Sequence, residues 1–109
     1  MPAYIGFFVE INDFAAFSEY GSAAAATYGN YGGKILFRGP VVEILEGALD
    51  LQKGARLVVL EFPSLDEAHG WWNSDDYQAL IKLREPPIAQ SRVFVIDGLA
   101  DPTRHSGPA

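Results

Sequence analysis

Proton chemistry in this chain rests on few side chains, and two of them stand close together in sequence: Glu61 and His69. His69 is the single histidine inside the stretch that reads as folded, because His105 lies in the C-terminal run. An imidazole there suits a general base; the plainer alternative is a solvated helix histidine between Glu67 and Asn73. Glu10, Glu61 and Asp97 stand at strand ends, alternating with apolar residues. A carboxylate turned into an apolar interior has a raised pKa and acts as a base, whereas one at the rim does nothing of the kind. Arg38 precedes Gly39-Pro40, where a guanidinium can clamp a carboxylate through two parallel hydrogen bonds. Its structural alternative is an ion pair with Glu43, Glu46 or Glu61. Arg84 is a second candidate for ligand contact, and Trp71 and Tyr77 are candidates for a pocket wall. Tyr20, Tyr28 and Tyr77 can each donate a hydrogen bond to a ligand, with aromatic packing as the default reading.

Other chemistries are excluded. The sequence has no cysteine, which removes disulfides, thiolate catalysis and Cys-based metal sites. It has no Ser-His-Asp order with supporting motifs, no phosphate loop and no dinucleotide fingerprint. The glycines from Gly29 to Gly33 end a helix, the reverse of a phosphate-binding arrangement. No metal site is expected. A net charge of −6 without any basic cluster argues against nucleic acid. No apolar run approaches the roughly 18–20 residues of a membrane span. The start, MPAYIGFFVEIND, lacks a basic n-region and meets a charge at Glu10, unlike a signal peptide. The expectation is a cytoplasmic, soluble chain with one domain over residues 1–98 and a loosely ordered tail over 99–109.

The elements that must position these residues follow from periodicity. Ala3–Ile11 reads as a strand with Ile5, Phe7, Val9 and Ile11 on one face and Tyr4, Gly6, Phe8 and Glu10 on the other. Asp13 caps a helix whose apolar stripe is Phe14, Phe17, Gly21, Ala24, Ala25 and Tyr28. Asn30 and Gly32-Gly33 end it. A second strand runs Lys34–Phe37, is interrupted at Arg38-Gly39-Pro40, and resumes over Val41–Leu45; a third covers Arg56–Phe62. Ser64 to Glu67 forms a capping box for a second helix reaching Asn73, and Ser74 caps a further segment. Trp71 and Trp72 point about 100° apart on a helix. Trp72 continues the Leu65–Ala68 stripe and reads as core, leaving Trp71 at the flank of a cavity or at the dimer seam. Pro86-Pro87 ends this region and Gln90–Asp97 is the fourth strand.

The order is β-α-β-β-α-β: an α+β, ferredoxin-like chain with a four-stranded antiparallel sheet and both helices on one face. Strands one and three are apolar on both faces, whereas a sheet open to water normally alternates. Covering the second face calls for another copy of the chain, a sheet-to-sheet homodimer.

The blocks GGKILFRGP, VEILEG and LVVLEFPSLDEAHGWWNSDDYQALIKLR, in order and at matching spacing, resemble the DUF1330 family. The similarity runs from about Met1 to Gly98. Two departures are the longer ALDLQKGA loop after the EG turn and the Pro-Pro after Arg84-Glu85. The resemblance implies a dimeric α+β barrel of unknown activity. Its wider superfamily includes cofactor-independent monooxygenases, muconolactone isomerase-like proteins, dye-decolorising peroxidases and haem-degrading enzymes. Some relatives hold haem through a histidine on the second helix, where His69 stands, but no cofactor is expected here.

The functional expectation is a small, partly apolar ligand. In an enzyme of monooxygenase or isomerase type, Arg38 would orient substrate, Glu61 or His69 would take a proton, and Trp71 with Tyr77 would wall the pocket. The alternatives are a non-catalytic binding or sensing module, or a structural dimer with a vestigial cavity.

Overall fold

The computed structural model describes residues 1–98; the tail expected over 99–109 lies outside the described residues. β1 (Ala3–Ile11) sits inside a four-stranded antiparallel sheet of order β2-β3-β1-β4. β2 is Lys34–Pro40, β3 Ala55–Phe62 and β4 Ala89–Asp97. β1 reaches β2, and β3 reaches β4, through helical crossovers.

Register decides which side of each strand is core. Ile5 pairs with Leu60 and Val95, and Phe7 with Val58 and Val93. One face therefore carries Ile5, Phe7 and Val9 together with Val58, Leu60 and Phe62, and this is the face the helices cover. Tyr4, Phe8, Leu57, Phe94 and Ile96 share the other face with Glu61. Position 6 of β1 is on that outer face by alternation and is glycine because the Phe94 ring lies across it; a Cβ there would overlap the ring.

Helix α1 (Phe14–Tyr28) begins as Asp13 accepts a hydrogen bond from the Ala16 amide at 3.0 Å. It ends through a 3-10 turn over Gly29–Tyr31 into Gly32, whose φ of 72° requires the freedom of glycine. The buried α1 residues are Tyr20 and Ala24, while Phe14 is 55% exposed, so the inward face is rotated from the expected stripe. The reason is the partner. α1 packs against the 3-10 turn Ile81–Arg84 and α3 rather than lying flat on β2 and β3.

α2 (Leu65–Trp72) starts with the Ser64 hydroxyl accepting from the Glu67 amide at 3.2 Å. The short α3 (Asp75–Gln78) starts with Ser74 accepting from Tyr77 in the same way. The second strand departs from expectation. Its irregularity is a bulge at Leu36, between Ile35 and Phe37, and it does not resume after Pro40. Val41 donates to the Ala55 carbonyl at 3.0 Å, but β3 begins at Ala55, so later residues have no strand to pair with. Val42 and Leu45 stand 80% and 90% exposed there.

Candidate functional site

The standing-off of α1 leaves a cleft of about 710 Å³ between that helix and the β2–β3 half of the sheet. Its helical wall is made of the stripe expected to be buried: Phe14, Phe17, Gly21, Ala24, Ala25 and Tyr28. Three of these six have side chains no larger than a methyl group, which is why the space is not filled by α1 itself. Phe7 and Trp71 form the floor, and Ile35, Val58 and Leu60 the opposite wall. Two cations join this apolar lining. Arg38 of β2 pairs with Val58, Arg56 of β3 pairs with Pro40, and both belong to the helix-covered face. The Arg56 guanidinium lies 5.8 Å from the centre of the Phe14 ring. Neither arginine makes an ion pair among the described residues, and no Asp or Glu lines the cleft. In a chain of net charge −6 this is a local reversal of sign, suited to a ligand with an apolar body and a negative end.

Behind the floor is a buried aromatic cluster. Trp71 and Tyr77 are both fully buried with ring centres 4.0 Å apart, and Phe62 and Phe7 pack on Trp71. The two tryptophans exchange the roles expected from sequence: Trp71 is core and Trp72 is half-buried at the flank. Leu65, Ala68 and then either Trp71 or Trp72 fits helical spacing, so periodicity does not choose. The indole N–H does. Trp71 Nε1 donates to Thr27 Oγ1 at 2.9 Å, and that hydroxyl donates to the Ala24 carbonyl at 2.7 Å. A polar partner inside α1 thus admits the Trp71 ring to the core.

Arg84 is also buried, at 7% exposure, with no carboxylate partner among the described residues. Its Nε and Nη2 donate to the Tyr77 hydroxyl at 3.3 and 3.1 Å, and that hydroxyl lies 2.8 Å from the hydroxyl of Tyr20. The guanidinium sits over the rings of Phe7 and Tyr20, 5.8 and 5.5 Å from their centres. Burial opposes its charge, but the Tyr77 and Tyr20 hydroxyls outweigh burial and hold the group cationic. Burial drives the Tyr20 phenol well above the ordinary tyrosine range, Tyr77 adds to this, and the opposing pull of Arg84 is smaller. The Tyr20 phenol is therefore neutral near neutral pH.

Of the residues expected to form a site, Arg38 and Trp71 meet in the cleft, and Tyr77 and Arg84 stand directly behind its floor. Glu61 and His69 are elsewhere. Glu61 lies on the outer sheet face, pairing across strands with Lys34 and forming a salt bridge of 3.4 Å with it. His69 is exposed on α2, beside a shallow depression formed with Trp72, Val93, Phe94 and Val95. Arg56 is not among the site residues expected from sequence, although it is in phase with Val58 and Leu60 and so shares their face.

Four antiparallel strands in the order β2-β3-β1-β4, with both crossovers on one face, define a ferredoxin-like α+β protein. The chain belongs to the DUF1330 family, a domain of unknown function, which it matches over residues 2–99. A protein of unknown function from Rhodopseudomonas palustris has a similar structure, with a TM-score of 0.74 at 19% identity over 92% of this chain and 84% of that one. SnoaB, a cofactor-independent oxygenase from Streptomyces nogalater, aligns with a TM-score of 0.62 at 9% identity, over 92% of this chain and 98% of its own. A dimeric protein of unknown function and ferredoxin-like fold from Bacteroides fragilis aligns at 0.58 and 11% identity, over 89% and 96%. At such identities the likeness is one of fold. No match was found among curated proteins. No helix among the described residues is long and apolar enough to cross a membrane.

Proposed function

We propose that this protein binds a small organic anion with an apolar, ring-sized body in the cleft between α1 and the sheet. The observation that carries this reading is the lining: aromatic floor and walls and, among the described residues, two arginines without ion pairs and no carboxylate. Arg38 and Arg56 take the negative end, and Phe14, Phe17 and Tyr28 supply the apolar contact. The test is calorimetric titration with 2-naphthoate and with its neutral amide. The acid should bind at least about tenfold more tightly, the equivalent of about 1.4 kcal/mol. Replacing Arg38 and Arg56 together by Gln should erase that preference. Equal affinity for acid and amide would overturn the assignment.

The working unit in this reading is a homodimer joined through the outer sheet face. Phe37, Phe94 and Ile96 are 50%, 43% and 47% exposed, and they adjoin Tyr4, Phe8 and Leu57 on that face. Apolar residues so grouped on one side of a sheet mark an interaction surface, and the Bacteroides relative is dimeric. Native mass spectrometry reports subunit number and any retained ligand together. A dimer is expected for the unaltered chain and a monomer for the Phe37→Glu, Phe94→Glu variant; a monomeric unaltered chain removes the second copy from the proposal.

Catalysis is the second reading, and the fold shared with a cofactor-independent oxygenase is what favours it. Arg38 would then orient the substrate against the aromatic wall of α1. Glu61 and His69 do not line the cleft, so neither is assigned the proton transfer.

A further inference from the structure

Tyr20, Tyr77 and Arg84 can be counted, donor against acceptor. A phenol oxygen carries one proton and two lone pairs, and a guanidinium has donors only. Two N–H groups of Arg84 converge on the Tyr77 oxygen, at 3.3 and 3.1 Å. The 2.8 Å contact between the phenols uses one of their two protons; with Tyr77 fully buried and already facing Arg84, the arrangement that strands no proton in the core has Tyr77 donate to Tyr20. That leaves the proton of Tyr20 without an acceptor among the described residues. Of the three, Tyr20 is also the one that lines the cleft. We propose that the Tyr20 hydroxyl is a hydrogen-bond donor for the ligand, polarised by the chain Arg84 to Tyr77 to Tyr20, and that the ligand carries a carbonyl or other oxygen acceptor at its inner end.

The inference rests on the cleft being the binding site, and it narrows the ligand class. The molecule has two poles. A negative group meets Arg38 and Arg56, an apolar ring lies between, and an acceptor oxygen reaches the floor. A guanidinium buried without a carboxylate is costly to the fold unless other groups satisfy it, and at Arg84 the Tyr77 and Tyr20 hydroxyls do so. Here its charge is passed through two hydroxyls that polarise each other in a low-dielectric interior. Tyr77 and Arg84 touch no ligand in this arrangement. They are positioning residues.

The experiment compares 2-naphthoate with 6-formyl-2-naphthoate by titration calorimetry. The formyl group adds an acceptor and no donor. The unaltered protein should prefer the formyl compound by about three- to tenfold, the range of one net hydrogen bond. In Tyr20→Phe the preference should vanish, and in Arg84→Met it should shrink toward unity. A merely structural role for Tyr20 or Arg84 would weaken both compounds together and leave their ratio unchanged. Equal affinities in the unaltered protein, or a preference that survives Tyr20→Phe, would overturn the donor assignment while the binding reading stands. If neither compound binds, the binding reading falls, and the donor with it.

Discussion

Replacing Thr27 by Val tests the contact that seats Trp71. The swap conserves shape and removes one hydroxyl, and the two residues have similar helix propensities. Trp71 has no exposed surface and its Nε1 has a 2.9 Å bond to Thr27 Oγ1. With the hydroxyl gone, an indole N–H is stranded in the core at a cost of about 1–3 kcal/mol. The Ala24 carbonyl, which accepts from the same hydroxyl, retains its helical N–H and adds little. Urea denaturation is the assay. With the m-value of a small domain, on the order of 2 kcal/mol/M, the midpoint should fall by about 1 M. Thr27→Ser retains the hydroxyl and loses one methyl from a half-buried site, so it should cost no more than about 0.8 kcal/mol. The order Val worse than Ser is opposite to what hydrophobicity alone predicts.

In Trp71→Phe the indole N–H no longer exists, so adding Thr27→Val should cost less than about 0.5 kcal/mol, and the difference between backgrounds is the coupling energy. Equal costs in both backgrounds would refute the reasoning, since the hydroxyl would then act through something other than Trp71.

Three further expectations follow from the same geometry. Arg84→Met should lower stability by about 1–3 kcal/mol in urea denaturation, because the hydrogen bonds to Tyr77 and the contacts with the Phe7 and Tyr20 rings, which together outweigh burial of the charge, are lost; an unchanged midpoint would contradict this. Tyr20 is protonated in the fold beyond the pH at which the unfolded chain ionises, so its contribution is complete below about pH 10 and declines as pH rises above it. Relative to Tyr20→Phe, the parent should lose about 1.4 kcal/mol between pH 8 and pH 11 in urea melts, and parallel curves for the two proteins would contradict this. Glu61→Gln should change stability by less than about 1 kcal/mol, since its Lys34 partner is 70% exposed, and should leave 2-naphthoate affinity unaltered; a large loss of binding would return Glu61 to the site.

The fold was legible because its signals were local and agreed with one another. Ser64 and Ser74 cap the helices they should, Asp13 caps α1, and Ala3–Ile11 is a strand to the residue. What sequence could not settle were choices decided by a partner distant along the chain. Whether Trp71 or Trp72 turns inward depends on Thr27, 44 residues away. Whether the Phe14–Tyr28 stripe is core or cleft wall depends on α1 meeting the Ile81–Arg84 turn instead of the sheet. Whether Glu61 faces inward depends on strand register, and pairing with Tyr4 and Lys34 puts it outside. The same register places Arg38 inside, since the Leu36 bulge resets the alternation of β2 just before it.

That bulge has a consequence for the chemistry. Without the extra residue, Arg38 would keep the phase of Leu36 and Lys34 relative to Ile35, which faces the helices. With it, Ile35 and Arg38 both lie on the cleft side, and the cleft acquires a second guanidinium beside Arg56. No carboxylate or histidine lines the cleft among the described residues, and the Tyr20 phenol is held neutral. The groups assembled there accept negative charge and donate hydrogen bonds; none is suited to remove a proton near neutral pH. A reaction in this cleft would begin from a substrate that arrives ionised, and the part of the protein would be to hold the charge at Arg38 and Arg56 while Tyr20 stabilises an oxygen at the other end. The features needed to bind such an anion and to catalyse its reaction are then largely the same, which is why affinity for a two-poled aromatic acid is the property to measure before any turnover.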